Sequence, residues 1–171
     1  MNIAIIAARG GSSRIKKKNI KLFRGKPIIY YSIKAAINSK CFDRIIISTD
    51  DKKIAQIAKN YGAEVPFLRT KKLAKNSVGN REVIVDVLKR LNLKKIPDYV
   101  CQIFATAPFL RSTDLKNSLK ILKSNKSAEF CFSVVKFPHP IQRAMKITKN
   151  GRVKMFQPKF RKWHSQNLIA T

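Results

Sequence analysis

The amino-acid sequence predicts a three-layer α/β fold with a mostly parallel sheet, and three observations support this prediction. Short apolar runs typical of buried strands alternate along the chain with segments that carry apolar residues at helical spacing. Alternating strands and helices of this length indicate right-handed βαβ crossovers, which place helices on the faces of the sheet. The chain has 171 residues, 44% of them hydrophobic, which is enough to bury one substantial core.

The strands are predicted from runs of aliphatic and aromatic residues. The first begins at Ile3, and the others cover residues 44–49, 64–69, 98–105 and 130–135. Pro66 places residues 64–69 at an edge of the sheet, because proline has no N–H to donate to an interior ladder. The run at residues 130–135 is expected to be the last strand of the main sheet.

The helices are predicted from start and stop signals between the strands. These signals are breaks at proline or glycine and caps made by acidic or hydroxyl side chains. The predicted helices cover residues 28–37, after Gly25-Lys26-Pro27; residues 52–61, between Asp50-Asp51 and Gly62; residues 82–91; and a segment capped by Ser112-Thr113-Asp114.

A basic loop that contains glycine follows the first strand directly. Gly10 and Gly11 allow the backbone to come close to phosphate oxygens, and the arginines and lysines of the loop supply positive charge. In open α/β sheets ligands bind just beyond the carboxyl ends of the strands, where this loop lies. The spacing matches neither the dinucleotide fingerprint nor the Walker motif. The loop is therefore predicted to bind a nucleoside triphosphate, and a lysine-rich surface turn is the alternative.

The net charge of +28 raises nucleic-acid binding as a second possible function, because each neutralised phosphate releases counterions. The lysines are spread over nearly every segment and do not form one arm or one helix face. This distribution favours a compositional bias over specific nucleic-acid recognition.

The sequence also bounds the compartment and the metal chemistry. No apolar run approaches the ~20 residues that span a bilayer, and the amino terminus lacks the pattern of a signal peptide, so we expect a cytoplasmic protein. Cys41, Cys101 and Cys131 lack metal-ligand spacing and are expected to be buried free thiols. With two histidines and no such spacing, zinc is not expected, and any metal should be Mg²⁺ carried by phosphate.

The pattern of the chain changes after residue 136. Residues 1–136 are predicted to form a nucleotide-binding α/β domain. Residues 137–171 are predicted to form a β-ribbon extension, incomplete at its end, in which prolines separate short alternating segments such as residues 144–147 and 152–156. This ribbon is expected to project from the core and to pair two subunits into a homodimer.

Six segments match one known family in order along almost the whole chain. They are Arg9-Gly10-Gly11-Ser12, Lys18-Asn19, Gly25-Lys26-Pro27, Phe42-Asp43-Arg44, Ser48-Thr49-Asp50-Asp51 and residues 61–69. On these residues the chain resembles the acylneuraminate cytidylyltransferases. Residues 105–110 and 137–144 are similar to the pseudaminic acid branch of that family, and the neuraminic acid branch is its near neighbour.

The resemblance implies a Rossmann-like nucleotide-diphospho-sugar transferase fold. It implies an enzyme that transfers CMP from CTP to pseudaminic or N-acetylneuraminic acid and releases pyrophosphate. It implies catalytic roles for Arg9 and Lys18. The nucleotide-binding residues that it implies are Ala8, Arg9, Gly10, Gly11, Ser12, Arg14, Lys18, Asn19, Arg69 and Ser77. Thr106, Gln142 and Arg143 are candidates for binding the acidic sugar, whose carboxylate suits a planar guanidinium, and a turn with a ribbon surface is the alternative explanation of these residues.

The chain departs from the family pattern in the loop and in its acidic residues. Ala7 stands where the family has proline, and Ser13 stands where a lysine is common. Family members hold Mg²⁺ through later acidic residues, whereas none of the nine Asp and Glu residues here lies after Glu129. Mg²⁺ is therefore expected to arrive with CTP, while helix capping explains Asp50, Asp51 and Asp114. A truncated, catalytically impaired homologue that still binds CTP is the alternative.

Overall fold

The structure is a computed structural model that describes residues 1–12, 15–135 and 141–162. Within these residues the strands are β1 (Asn2–Ala7), β2 (Leu22–Phe23), β3 (Lys26–Pro27), β4 (Arg44–Ser48), β5 (Tyr99–Phe104), β6 (Met145–Ile147) and β7 (Val153–Met155). The α-helices are α1 (Ile28–Ser39), α2 (Lys52–Asn60), α3 (Asn80–Arg90) and α4 (Ser112–Ser124). Short 3-10 helices lie at Lys18–Ile20, Lys71–Ala74, Ile141–Arg143 and Pro158–Phe160.

Contacts between residues divide the chain into two compact units, Met1–Cys131 and Phe132–Thr171. The first unit contains the main sheet and the four α-helices. The second contains the antiparallel pair of β6 and β7. The roles that the sequence assigns to residues 1–136 and 137–171 stay predictions.

The main sheet has β1 in its centre, with β4 and β5 bonded in parallel on either side. In this register Ile5 of β1 lies opposite Ile46 of β4 and Gln102 of β5. Parallel neighbours require crossover connections, and α1 and the segment containing α2 and α3 supply them. The predicted parallel sheet with helical crossovers is confirmed.

The core lies on both faces of this sheet. Ile6 of β1 belongs to a cluster with residues of α1, α2 and α4, whereas Ile5 packs with Val87 of α3 on the other face. Successive side chains of a strand point to opposite faces, so a strand covered by helices on both sides reads as a continuous apolar run. Burial of each such isoleucine contributes about 1.5–3 kcal/mol relative to exposure.

The edge segment, which we define as residues 64–69, lies beside β4 at the margin of the sheet. Glu64 forms a parallel bridge with Ile46. The Glu64 N–H donates to the Ile45 carbonyl (2.8 Å), and the Glu64 carbonyl accepts from the Ile47 N–H (2.8 Å). The edge position predicted from Pro66 is confirmed, although the pairing is a single bridge and not a full strand.

The strand predicted at residues 130–135 is wrong. These residues have no regular secondary structure, and the Phe130, Phe132 and Val135 side chains are 80%, 78% and 88% exposed. An apolar run becomes a strand only where a neighbouring strand accepts its ladder bonds, and β5 stays at the margin of the described sheet. The sequence pattern shows that residues 130–135 are apolar, but it does not show whether a neighbouring strand lies beside them.

The predicted ribbon is present as a short hairpin. Met145 pairs with Met155 and Ile147 with Val153 in antiparallel register. Gly151 has a φ of 71° at the turn, a conformation that glycine adopts without steric cost. Its part in pairing subunits stays a prediction. In the described ranges of the chain, every helix is too short or too polar to span a bilayer.

The three cysteines are free thiols, as predicted, but the prediction that they are buried is wrong, since all three are of intermediate burial. Burial raises the pKa of the Cys101 thiol to about 11, and the neighbouring thiols of Cys41 and Cys131 act in the same direction. Because the thiolate is the nucleophile, we expect the alkylation rate of Cys101 to rise about tenfold per pH unit up to about pH 11. The alkylation rate of an ordinary thiol, whose pKa is ~8.5, levels off above that lower pH. Mass spectrometry of the Cys101 peptide after iodoacetamide pulses measures this rate. A plateau below pH 9 would contradict the prediction.

Candidate nucleotide-binding site

A cavity of about 230 Å³ lies at the carboxyl ends of β1 and β5. We call it the basic cavity. Its lining residues are Ala7, Arg9, Ser12, Ile15, Lys18, Asn19, Arg69, Lys75, Asn76, Val78, Asn80, Val83, Phe104, Ala105 and Thr106. The position agrees with the general rule that ligands of open α/β sheets bind beyond the carboxyl ends of the strands.

The charge of the basic cavity is of one sign. Four cationic side chains, Arg9, Lys18, Arg69 and Lys75, line it, and its lining residues include no Asp or Glu. Clefts lined by one sign of charge focus the electrostatic field and raise the local concentration of the oppositely charged ligand. The cavity is therefore suited to a polyanion of small-molecule size.

The loop after β1 is held in place by three hydrogen bonds. The Ala8 N–H donates to the Ser48 carbonyl (2.9 Å), which extends the pairing of β1 with β4. The Gly10 N–H donates to Asp50 Oδ1 (2.9 Å), and Asn19 Nδ2 donates to the Arg9 carbonyl (2.8 Å). Asn19 itself is buried. These bonds fix the backbone on both sides of Arg9.

Gly10 is also required by close packing. A Cβ atom built on Gly10 would lie 2.9 Å from the Asp51 Cβ atom, closer than real Cβ atoms approach. Asp51 cannot move freely, since its Oδ1 accepts from the N–H groups of Lys53 (2.7 Å) and Ile54 (3.0 Å) as the N-cap of α2. Around Gly11, in contrast, no atom of the described residues other than its chain neighbours lies within 4 Å of such a Cβ atom.

Asp50 holds the loop and does not cap a helix, which corrects the sequence-based explanation of this residue. As predicted, Asp51 caps α2, and Asp114 acts at the amino terminus of α4, where its Oδ2 accepts the Arg111 N–H (3.1 Å). The Asp50 carboxylate instead accepts the Gly10 N–H from a loop forty residues away in the chain.

We expect Asp50→Ala to weaken CTP binding by about threefold to tenfold, because the Gly10 N–H loses its acceptor and the loop loses its fixed position. Asp50→Asn keeps an acceptor oxygen and removes a negative charge, so its affinity should equal or exceed that of the native chain. Calorimetric titration of CTP with and without Mg²⁺ distinguishes a role of Asp50 in holding the loop from a role in binding the metal. Equal losses in both variants, seen only with Mg²⁺, would make Asp50 a metal ligand instead.

Arg69 reaches the basic cavity from the carboxyl end of the edge segment. The residue is only 7% exposed. Its Nε donates to Ser48 Oγ (3.1 Å) and its Nη2 to the Ser48 carbonyl (2.6 Å). Burial lowers the pKa of the guanidinium, and Arg9 acts in the same direction, whereas the carboxylates of Asp50 and Asp86 oppose the shift. The mutual effect of Arg9 and Arg69 is the repulsion that an anion between them would relieve.

The amino terminus of α3 forms another wall of the basic cavity. Asn80 and Val83 come from its first turns, and Lys75, Asn76 and Val78 come from the preceding loop. The N-cap is Gly79, which has no side chain to satisfy the free N–H groups of the first turn. The first turn also carries Glu82, whose Oε2 would lie 2.7 Å from a Cβ atom on Gly79, so this end of α3 already has a carboxylate beside it and the preference for an anion rests on the four cations.

The structure brings together six of the residues predicted from the sequence. Arg9, Ser12, Lys18, Asn19, Arg69 and Thr106 all line the basic cavity. Ala8, Gly10 and Gly11 do not line the cavity but alternate in the chain with Arg9 and Ser12, which do. Ser77 likewise lies between the lining residues Asn76 and Val78. The functional role of each of these residues stays a prediction.

The remaining predicted residues belong to the second unit or fall outside the described part of the chain. Arg14 is not among the described residues. Gln142 belongs to the second unit, and for Arg143 only the backbone of its 3-10 helix is described. The roles predicted for Arg14, Gln142 and Arg143 stay predictions.

Sequence reasoning missed Lys75 and Phe104. Lys75 follows Lys71 and Lys72 in a polar loop, so no local signal distinguishes it from its neighbours. Phe104 ends β5, and its carbonyl accepts from Ser32 Oγ of α1 (2.7 Å). The rule that ligands bind at strand ends, applied to β5 as well as to β1, would have selected it.

The described residues do not fit a protein-held Mg²⁺. In the ranges 1–12, 15–135 and 141–162, no group of three or more His, Cys, Asp or Glu side chains could hold a metal ion. The Oδ1 atoms of Asp50 and Asp51 are engaged by backbone N–H groups. Asp114 is paired with Arg111. The Mg²⁺ that the family resemblance implies therefore lacks a carboxylate site in this part of the chain.

The chain combines a parallel α/β sheet with a basic cavity, free of carboxylates in its lining, at the strand ends. This combination is typical of proteins that bind phosphorylated small molecules, and the nucleotidyltransferases are one such class. The chain belongs to the cytidylyltransferase family, whose sequence model matches residues 3–160. The recognition of this family from sequence segments is confirmed.

Curated relatives place the chain more closely within that family. It is 42% identical over 168 residues to the pseudaminic acid cytidylyltransferase of Campylobacter jejuni, covering 98% of this chain and 72% of the relative. It is 38% identical over 122 residues to the CMP-N,N'-diacetyllegionaminic acid synthase of Legionella pneumophila, covering 71% and 53%. It is 37% identical over 150 residues to the N-acylneuraminate cytidylyltransferase of Oncorhynchus mykiss, covering 88% and 33%.

Solved structures confirm the fold. A CMP:2-keto-3-deoxy-manno-octonic acid synthetase complexed with CTP superposes with a TM-score of 0.63 at 20% identity, covering 74% of this chain and 48% of that one. A 4-diphosphocytidyl-2C-methyl-D-erythritol synthase from Anaerococcus prevotii gives a TM-score of 0.51 at 18% identity, covering 90% and 63%. This chain thus spans about half to two thirds of the length of these structures.

Proposed function

We propose that this protein transfers CMP from CTP to a nonulosonic acid, with pseudaminic acid as the first choice, and releases pyrophosphate. The observation that carries the proposal is the basic cavity, with four cations and no carboxylate in its lining, at the strand ends of a cytidylyltransferase fold. The choice of sugar is supported by the 42% identity to a pseudaminic acid cytidylyltransferase over 98% of the chain.

The proposed reaction needs positioning and charge stabilisation more than covalent chemistry. The anomeric oxygen of the sugar attacks the α-phosphorus of CTP in line with the departing pyrophosphate; the new P–O bond forms as the bond to the leaving group breaks. Negative charge builds up on the phosphate oxygens and the leaving group, where Arg9, Lys18, Arg69 and Lys75 can stabilise it. Each charge-assisted hydrogen bond is worth about 1.5–3 kcal/mol.

We propose further that Mg²⁺ enters the site bound to CTP and neutralises part of its phosphate charge. The absence of a suitable group of ligands within the described residues supports this route. Homodimer formation through residues 137–171 and a cytoplasmic location also belong to the proposal; sedimentation of the purified chain tests the former.

The test of the function is an assay of the purified chain with CTP, Mg²⁺ and pseudaminic acid. We expect pyrophosphate release that requires all three components, with a CMP-sugar product visible by ³¹P NMR. N-acetylneuraminic acid in place of pseudaminic acid tests the sugar, and ATP in place of CTP is the matched control for the nucleotide. Absence of both CTP binding and product in a folded preparation would refute the proposal.

A second candidate function is CTP binding without turnover. It is favoured by one observation: the described residues lack the carboxylate cluster that a protein-held metal requires. Thermal stabilisation by CTP, with no product at any Mg²⁺ concentration, would support this candidate over the first.

A further inference from the structure

The edge segment presents Arg69 to the basic cavity, and its backbone is fastened at its two ends. Glu64 exchanges two backbone hydrogen bonds with β4, and the Arg69 N–H donates to the Thr49 carbonyl (2.7 Å). Between these points lies Pro66, which has no N–H to donate. The position of the middle of the segment therefore depends on contacts made by side chains.

Val65 is buried in the core and Phe67 packs against the core cluster that contains Val87. Arg90, in the last turn of α3, adds two contacts from the outer side of the segment. Its guanidinium carbon lies 3.8 Å from the centroid of the Phe67 ring, a cation–π geometry. Its Nη1 donates to the Leu68 carbonyl (3.1 Å). One side chain thus holds both residues that precede Arg69.

Asp86, one turn earlier on α3, orients Arg90. Its Oδ2 lies 3.5 Å from Arg90 Nη1, an i,i+4 ion pair in which the two side chains are 22% and 33% exposed. The Oδ2 atom is buried and has no hydrogen-bond partner in the described part of the chain, so its charge is compensated by the ion pair with Arg90 and, less directly, by Arg69, whose pKa Asp86 raises. The same helix supplies Asn80 and Val83 to the cavity wall.

We propose that Arg90 is a positioning residue, which acts through Phe67 and Leu68 to keep Arg69 in the basic cavity. The effect on ligand binding rests on the proposed function, whereas the effect on the edge segment does not. An exposed arginine on a helix surface would ordinarily contribute little. Here the planar guanidinium is used for stacking, for a hydrogen bond and for an ion pair at once, and lysine cannot reproduce this combination.

The first experiment measures the edge segment without any ligand. In Arg90→Met we expect the Arg69 amide, which donates to Thr49, to exchange its hydrogen about five- to tenfold faster than in the native chain, while amides of β1 and β4 are unchanged. Lys89→Met is the matched control, because it removes the same charge from the adjacent, exposed position. An Arg69 amide that exchanges equally in all three proteins would overturn the proposal.

The second experiment measures whether Arg90 acts through Arg69. We expect the edge segment of Arg90→Met to hold Arg69 in the cavity for only a tenth to a fifth of the time. Binding of CTP and of inorganic tripolyphosphate is then about five- to tenfold weaker than in the native chain. In an Arg69→Met background the same change should alter the affinity less than twofold. Equal losses in both backgrounds would overturn the proposal, because they would show a general effect on folding or charge.

The experiments give different results if the proposed function is wrong and if the proposed role of Arg90 is wrong. A native chain that binds neither CTP nor tripolyphosphate would refute the nucleotide site, while faster exchange of the Arg69 amide in Arg90→Met alone would still establish that Arg90 positions the edge segment. Arg90→Lys adds a final distinction. We expect it to restore the ion pair with Asp86 but not the native exchange rate, because an ammonium group does not stack as a guanidinium does.

Discussion

Arg9→Ala is expected to weaken CTP binding by about 10- to 100-fold and to lower turnover at least as much, with the fold intact. Arg9 and Arg69 both line the basic cavity, so both guanidinium groups are available to one bound anion. One or two charge-assisted hydrogen bonds to phosphate, at about 1.5–3 kcal/mol each, account for a loss of this size. Isothermal titration with CTP at physiological salt measures it.

Lys16→Ala is the matched control for Arg9→Ala. Lys16 belongs to the same basic loop, but it is exposed and does not line the cavity. Because the charge of Lys16 is exposed to solvent and screened by salt, its removal should change the affinity less than twofold. A loss as large as that of Arg9→Ala would show that the overall charge of +28, and not the cavity, attracts the nucleotide. Thermal melting of both variants confirms that they fold.

The part of the site that local sequence predicts is the loop after β1. An apolar strand, two glycines and a series of cations follow one another within a short stretch, and each has a local physical meaning. The structure places Arg9, Ser12, Lys18 and Asn19 in one cavity, as this pattern indicates. Capping of α2 by Asp51 is equally local and was predictable for the same reason.

The rest of the site depends on contacts between distant parts of the chain. Asp50 meets Gly10 across forty positions, and Arg90 meets Leu68 across twenty-two. Sequence pattern gives Asp50 the role of a helix cap and gives Arg90 no role, because it contains no information on which loop or segment will lie against each side chain. The error at residues 130–135 has a related origin, since strand propensity does not show whether a partner strand is available.

Gly10→Ala is expected to destabilise the first unit by about 1–3 kcal/mol and to weaken CTP binding more than tenfold. The new Cβ atom would lie 2.9 Å from the Cβ and Oδ2 atoms of Asp51, so the backbone of the loop or of the α2 cap must move. Movement of the loop also breaks the bond from the Gly10 N–H to Asp50 and displaces Arg9. Chemical denaturation and CTP titration measure the two effects.

Gly11→Ala is the matched control, because Gly11 is exposed and its Cβ atom would meet no atom of the described residues within 4 Å apart from its chain neighbours. It should change stability by less than about 0.5 kcal/mol. A loss in Gly11→Ala as large as that in Gly10→Ala would mean that the loop needs flexibility and not the close approach to Asp51.

The cause of the Gly10→Ala defect can be isolated with a second change at Asp51. Asp51→Gly removes the atoms that the new Cβ would meet, and it should cost only a few tenths of a kcal/mol by itself, because glycine is a tolerable N-cap. If the clash explains the defect, Gly10→Ala combined with Asp51→Gly should be more stable than Gly10→Ala alone and should regain CTP affinity. If the losses of the two changes are additive, removal of the Asp51 side chain does not relieve the Gly10→Ala defect. The defect would then originate in the backbone conformation of residue 10 itself.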